Sequence, residues 1–194
     1  MSVFMWCSDD HEEGQRWLEK VKGFGTCLVT QVSPTRISNL MEQNETLLPM
    51  ENYGHVNTVS VKGYTQKITE IIIKHTDELP GGHAILYVNM LRGKSALENQ
   101  SSVFGPREPH LVLEFLSATP DKSLVDKCNA WASAFKMDIL ENAGDDVVGG
   151  GFPSLTPKEE CDWKKIYGNK YSTFKALKNE MDPANVFNQF IPSL

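Results

Sequence analysis

The chain has 194 residues, of which 40% are hydrophobic and 23% charged, a composition typical of a soluble globular domain with its own core. Its 19 Lys and Arg residues and 25 Asp and Glu residues give a net charge of −6. With this charge and no basic cluster, nucleic acid and anionic membranes are not expected as partners. We expect one domain over residues 1–194.

The cysteines and the first residues bear on location. The four cysteines, Cys7, Cys27, Cys128 and Cys161, are scattered and lie in no zinc-type spacing, so no metal is expected. Free thiols fit a reducing compartment. The first residues are apolar but lack a basic segment, and acidic residues follow at once. The sequence therefore predicts a cytoplasmic protein without a signal peptide or membrane span.

The first third of the chain shows alternating strand and helix signals. Residues 2–7 are β-prone and predict a strand, after which Asp9-Asp10 offers a helix N-cap. An apolar helical stripe follows and ends at Gly23. A second strand is predicted over 26–32, and a short helix with a loop over 36–54.

The middle of the chain repeats this order. A strand over 56–61 precedes a helix that ends near Pro80. Two more strands are predicted over 83–91 and 109–116. The polar connection between them, 92–106, is long enough to suggest a functional loop.

The last third is predicted to be helical. Apolar residues at helical spacing cover 124–139, and a loop rich in Gly and Pro follows over 144–157. One final helix is predicted over 158–181, ended by Asp182 and Pro183. Together these elements predict an α+β fold. It would have a single antiparallel (mixed) sheet with helices packed on one face, an elaboration of a ferredoxin-like arrangement.

Strand alternation divides the predicted sheet into two faces. One set is uniformly apolar and should pack under the helices: Leu86, Val88, Met90, Leu111, Leu113 and Phe115. The other set mixes polar and apolar residues: His83, Ile85, Tyr87, Asn89, His110, Val112, Glu114 and Leu116. This mixed face is the candidate functional surface.

Proton transfer is the chemistry that the mixed face favours. A histidine beside a cross-strand tyrosine or carboxylate can exchange a proton near neutral pH. The candidate catalytic residues are His110, Tyr87, Glu114 and Asn89, and the candidate substrate-binding residues are His83, Lys62, Arg107 and Val112. The alternative is a face that is simply solvated or covered by a partner chain. His75, on an apolar helix face, is expected to be structural.

The tail carries a specific motif. It reads Trp163-Lys-Lys-Ile-Tyr167-Gly168-Asn169, then Leu177-Lys178, then Asp182-Pro-Ala-Asn185-Val-Phe187. This resembles the closing motif of berberine-bridge-like FAD-linked oxidases, of the vanillyl-alcohol-oxidase type, with Thr173-Phe174 where members usually carry Arg-Leu. The segment from Ser102 to His110 resembles the substrate domain of fungal members.

The resemblance implies the C-terminal substrate-binding domain of such an oxidase, with its mixed sheet face toward flavin and substrate. In that family the FAD-binding domain supplies the pyrophosphate loop and the His and Cys that link the flavin. Here Gly149-Gly150-Gly151 is followed by Phe-Pro instead of a helix start. We therefore expect the FAD-binding domain to be absent and no cofactor to be bound.

Three functions remain open at this point. The first is a cofactor-independent biosynthetic enzyme of fungal secondary metabolism. It would isomerise, dehydrate or cyclise, including by a pericyclic route, a polyketide- or aromatic-type intermediate. The second is a non-catalytic binding or accessory subunit, and the third is a fragment of an FAD-dependent oxidoreductase. Since the open face is partly apolar, a homodimer through that face is expected.

Overall fold

The structure, a computed structural model, describes residues 5–45, 51–81, 84–105 and 107–188. The chain divides into two compact units, Met1–Thr46 and Leu47–Leu194. The described part of the first unit contains α1 (His11–Lys22) and α2 (Ile37–Glu45). The Asp10 side chain accepts a hydrogen bond of 2.8 Å from the Glu13 amide, so Asp10 caps α1 as predicted.

The two strands predicted for this unit are not found in its described part. Residues 26–32 are not in a strand, and Leu28 and Val29 are 88% and 86% exposed. The prediction is wrong because a local strand signal alone does not form a strand, which needs a hydrogen-bonded neighbour. Of the strand predicted over 2–7, residues 2–4 lie outside the described residues and 5–7 are not in a strand.

The second unit follows a β-α-β-β-α-β order. It comprises β1 (Val56–Val61), α3 (Gln66–Asp77), β2 (Ile85–Leu91), β3 (His110–Leu116), α4 (Val125–Asn142) and β4 (Val147–Val148), and then α5 (Trp163–Tyr167) and α6 (Tyr171–Met181). The sheet order is β2-β3-β1-β4, and every neighbouring pair is antiparallel. This is the ferredoxin-like arrangement. The predicted α+β class with a single sheet is confirmed for the described residues.

The core lies between the sheet and the two helices that connect its strands. Its buried members come from β1, β3, α3 and α4: Val59, Val61, Ile68, Ile71, Leu111, Leu113, Phe115, Trp131, Ala132, Phe135 and Ile139. The rings of Phe115 and Phe135 lie 4.4 Å apart between centroids. The predicted division into two faces is therefore correct for β3 and for Leu86 and Val88 of β2, which pack against this core. It is wrong for Met90, which is 63% exposed and lines the cavity described below, because the core does not extend to that end of β2.

His75 joins α3 to α4. Its side chain is buried, its ring stacks on Phe135 at 4.6 Å, and its Nε2 lies 2.9 Å from the Asp138 carboxylate. Lys74 donates to the same carboxylate at 2.7 Å. Hydrogen bonds from Lys74, His75 and Asn142 hold the pKa of Asp138 at about 2 against an ordinary 3.8. His75 is therefore structural, as predicted.

The single helix predicted over 158–181 is wrong. α5 ends at Tyr167, where Gly168 takes a φ of 53°, and a short 3₁₀ turn leads into α6. A positive φ is a conformation that glycine adopts readily and that a helix cannot continue through. The break lets the Tyr167 ring stack on Phe174, with 4.0 Å between ring centroids.

The Lys178–Asp182 pair explains much of the tail motif. Lys178 is 8% exposed, and its Nζ donates to the Asp182 carboxylate and, at 2.9 Å, to the Phe187 carbonyl. The same carboxylate accepts from the amides of Val186 (2.8 Å) and Phe187 (3.0 Å). These bonds close the turn after α6, while Asn185 has a φ of 50°. The motif here has a structural role.

The Asp138 cluster makes acid stability testable. Because its folded pKa is lowered, the carboxylate stabilises the fold above about pH 4, and this stabilisation is lost between about pH 4 and 2. In Asp138→Asn we expect the free energy of unfolding at neutral pH to fall by about 2 kcal/mol. The acid-induced loss in that window should also shrink. Urea unfolding across pH measures both, with exposed Asp77→Asn in α3 as the control. Parent-like acid sensitivity in Asp138→Asn would contradict this role.

Candidate functional site

The sheet face away from α3 and α4 carries ordered rows of side chains. In one row Asn89, Val112 and Ser60 lie side by side on β2, β3 and β1. In the next row Tyr87, Glu114 and Thr58 occupy the same three strands. His110 pairs with Leu91 at the other end of β3.

Part of this face is covered by the chain itself, through the segment 149–166. Two buried hydroxyls, of Thr58 and Thr156, lie 2.6 Å apart, and the Phe152 amide donates to both. These bonds fix the segment above β1. On β2, Tyr87 remains 44% exposed. A pairing of two chains through the uncovered part stays a prediction.

A cavity of about 140 Å³ lies between the sheet face and this covering segment. Its walls are mostly apolar, and its polar side chains, those of Ser60, Asn89 and His110, come from the sheet. The complete lining is Ser60, Asn89, Met90, Leu91, Phe104, His110, Val112, Gly149, Gly151, Phe152, Pro153 and Ile166. A mostly apolar cavity with a few polar groups from a rigid sheet is the general form of a small-molecule site.

His110 is the buried titratable group of the cavity, with an exposed fraction of 4%. Its Nδ1 lies 2.7 Å from the Glu108 carbonyl oxygen. A carbonyl oxygen only accepts, so Nδ1 carries a hydrogen, and in the neutral ring Nε2 has a free lone pair. Nε2 has no hydrogen-bond partner among the described residues. The geometry therefore presents a hydrogen-bond acceptor and potential base.

The other predicted catalytic residues separate into two places. Asn89 lines the cavity with His110, and its amide donates to Glu114. Glu114 lies four residues from His110 on one strand, about 13 Å away, so the two do not touch. Tyr87 pairs with Glu114 beyond the cavity. The structure thus brings His110 and Asn89 to one site and leaves Tyr87 and Glu114 outside its lining.

The predicted substrate-binding residues also divide. Val112 lies in the cavity lining, whereas the Lys62 Nζ donates at 2.6 Å to the Asp145 carbonyl and does not line the cavity. His83 lies outside the described residues.

Arg107 supports a wall of the cavity. It donates to the Ser95 carbonyl (2.9 Å) and the Ser102 hydroxyl (3.0 Å), and its guanidinium lies 4.9 Å from the centre of the Phe104 ring. Phe104 lines the cavity, and Arg107 does not. Within the described residues, Arg107 therefore acts on the site through Phe104.

Sequence reasoning missed Ser60 and the covering residues. Ser60 could have been found by applying strand alternation to 56–61, which places it opposite the apolar pair Val59 and Val61. Phe152 and Ile166 carry no such signal. Their position depends on the contact between Thr58 and Thr156, which lie 98 positions apart in the chain.

The glycine run of the covering segment packs against protein. A Cβ on Gly150 would lie 2.4 Å from the Asp162 carbonyl oxygen, and one on Gly151 would lie 3.1 Å from Thr156. These glycines allow close packing and open no helix that could hold a phosphate. In the described part of the chain, no three His, Cys, Asp or Glu side chains form a metal-type cluster. None of its helices is long and apolar enough to cross a bilayer.

A fungal protein, the FAD-linked oxidoreductase aurO of Gibberella zeae, is 28% identical to this chain over 176 residues. The aligned region covers 90% of this chain and 34% of that protein, so the chain spans about a third of its relative's length. No protein-family model matches the chain. The similarity relates the chain to FAD-linked oxidoreductases. Its assignment to a berberine-bridge-type substrate domain remains a prediction.

The hydroxyl pair that holds the covering segment can be tested. In Thr156→Val the Thr58 hydroxyl and the Phe152 amide lose a buried partner, which costs about 1–3 kcal/mol. We expect this loss in the free energy of unfolding and faster proteolysis within 149–157. Ser154→Ala changes an exposed hydroxyl in the same segment and should leave both unchanged. Equal behaviour of the two variants would show that the pair does not anchor the segment.

Proposed function

We propose that the chain is a cofactor-independent enzyme that binds an aromatic- or polyketide-type intermediate in the cavity and transfers a proton through His110. The reaction class is isomerisation, dehydration or cyclisation. The observation that carries the proposal is a buried histidine with a free Nε2 in a mostly apolar cavity. Such a base acts on a bound molecule that is held close and shielded from water.

The size of the cavity limits what enters it. A dry cavity of about 150 Å³ in a protein core holds one benzene molecule. The cavity of about 140 Å³ beside His110 therefore fits one ring or a comparable part of a larger molecule. Phe104, Phe152 and Pro153 supply apolar surfaces for that ring.

His110 is suited to act as the base because its other nitrogen is fixed. The hydrogen bond from Nδ1 to the Glu108 carbonyl sets the tautomer and holds the ring on β3. A proton taken by Nε2 gives an imidazolium that the same carbonyl stabilises. The proton can then return to another atom of the bound molecule, which is what an isomerisation or a cyclisation requires.

A second candidate follows from the relative. Its name describes an FAD-linked enzyme, and this chain aligns to about a third of it. The chain could then be the substrate-binding part of such an oxidoreductase, with FAD held by residues outside this chain. The described residues do not fit FAD alone, since the cavity holds about one ring and the Gly149–Gly151 run packs against Asp162 and Thr156.

Benzisoxazole tests the proposed base directly. When a base removes its ring C–H proton, the N–O bond breaks and a cyanophenolate forms, with no oxidant consumed. We expect turnover by the purified chain, lowered about 100-fold in His110→Gln. His11→Gln changes an exposed histidine and should react like the parent. A rate unchanged in His110→Gln would refute the proposed role.

A visible spectrum separates the two candidates. Purified protein that carries flavin absorption, or that binds added FAD with a shift of the flavin band, would favour the oxidoreductase candidate. Colourless protein that leaves the FAD spectrum unchanged and still opens benzisoxazole would favour the cofactor-independent enzyme.

A further inference from the structure

We infer that the cavity selects a neutral ring carrying two hydroxyl groups, because its free polar atoms are arranged to accept hydrogen from the ligand. The inference rests on the proposed function and adds the chemical class of the bound ring. Three polar residues carry it: His110, Asn89 and Ser60.

His110 provides the first acceptor. With Nδ1 committed to the Glu108 carbonyl, a neutral ring can only accept at Nε2. A ligand hydroxyl that donates to Nε2 satisfies this nitrogen when the ligand covers it. An ether, ketone or fluorine at the same position would cover the nitrogen and leave it unpaired, which costs free energy.

Asn89 provides the second acceptor. A carboxylate accepts only, so the Asn89 group that meets Glu114 is the Nδ2 amide. Oδ1 is then on the other side of the side-chain amide and has no partner among the described residues. Asn89 and His110 are diagonal neighbours on paired strands, about 7–8 Å apart. One ring can therefore offer a hydroxyl to each.

Ser60 is the third polar residue and lies on β1, the neighbour of β3 on the side away from β2. It lines the cavity at 8% exposure, and its hydroxyl has no hydrogen-bond partner within the described part of the chain. A serine hydroxyl can donate as well as accept. It can therefore donate to the oxygen of a ligand hydroxyl whose own hydrogen goes to His110. A hydroxyl satisfies this pair, whereas a methyl or a fluorine does not.

The lining favours neutral rings over anions. None of the described residues that line the cavity carries a Lys or Arg side chain. Arg107 does not line the cavity; two of its guanidinium nitrogens donate to Ser95 and Ser102, and its Nε is buried without a hydrogen-bond partner. A carboxylate that entered would lose water, and a neutral His110 offers it no hydrogen at Nε2, so benzoate-like rings should be excluded.

Binding of two matched rings tests this inference. Meta-difluorobenzene has nearly the shape of resorcinol but no hydroxyl hydrogens, and its binding can be followed by fluorine NMR. We expect resorcinol to displace it with at least about 10-fold higher affinity, the effect of one or two net hydrogen bonds. Benzoate should not displace it.

Variants assign the effect to the proposed atoms. His110→Phe keeps a ring without nitrogen, and Asn89→Leu keeps the side-chain size without the amide. Each should lower resorcinol affinity about 10-fold and leave that of difluorobenzene within twofold. Ser154→Ala should change neither. Urea unfolding of each variant identifies any that loses affinity because it does not fold.

The outcomes separate this inference from the proposed function. If both rings bind equally, or if benzoate displaces them, hydroxyl selection is wrong while the cavity remains a binding site. Parent-like resorcinol affinity in both variants would also overturn it. If neither ring binds and benzisoxazole is not opened, the proposed function itself is wrong.

Discussion

The site depends on β3, a central strand flanked by β2 and β1 and packed on both of its faces. Leu111, Leu113 and Phe115 are fully buried against the helices, which fixes the register because a slip of one residue would send them to the other face. His110 and Val112 are then forced into the opposite face, where they are also buried. The packing of the core thereby decides where the polar atoms of the cavity lie.

Much of this fold could be predicted from local pattern. The alternation gives the correct faces for β3 and for most of β2, with Met90 as the exception, and the helical spacing from Cys128 to Ile139 gives α4. These predictions succeed because the face of a strand or helix is decided by residues only two to four positions apart, which is also the spacing of the sequence pattern. The prediction for 26–32 fails because a strand needs a partner, and no described strand pairs with this segment.

The site was predicted only in part. His110, Asn89 and Val112 follow from alternation on adjacent strands, whereas the cavity above them needs Phe152 and Ile166. Those two residues reach the sheet through the Thr58–Thr156 contact and through a helix that breaks at Gly168. A contact between residues 98 positions apart leaves no periodic pattern in the sequence. The sequence therefore placed His110 and Glu114 correctly on one face of the sheet. It could not show that His110 lies in the cavity while Glu114 and Tyr87 lie outside its lining.

The tail motif bears on how the chain folds, whereas the cavity bears on what the chain could bind. Lys178 and Asp182 bind each other and the backbone of the following turn, and Tyr167 stacks on Phe174, so these residues are used within the fold. Similarity at such positions is evidence for shared structure. The proposed chemistry rests on other residues, His110 and Asn89. A similarity to an FAD-linked oxidoreductase does not by itself fix the reaction, which has to be argued from the atoms that face the cavity.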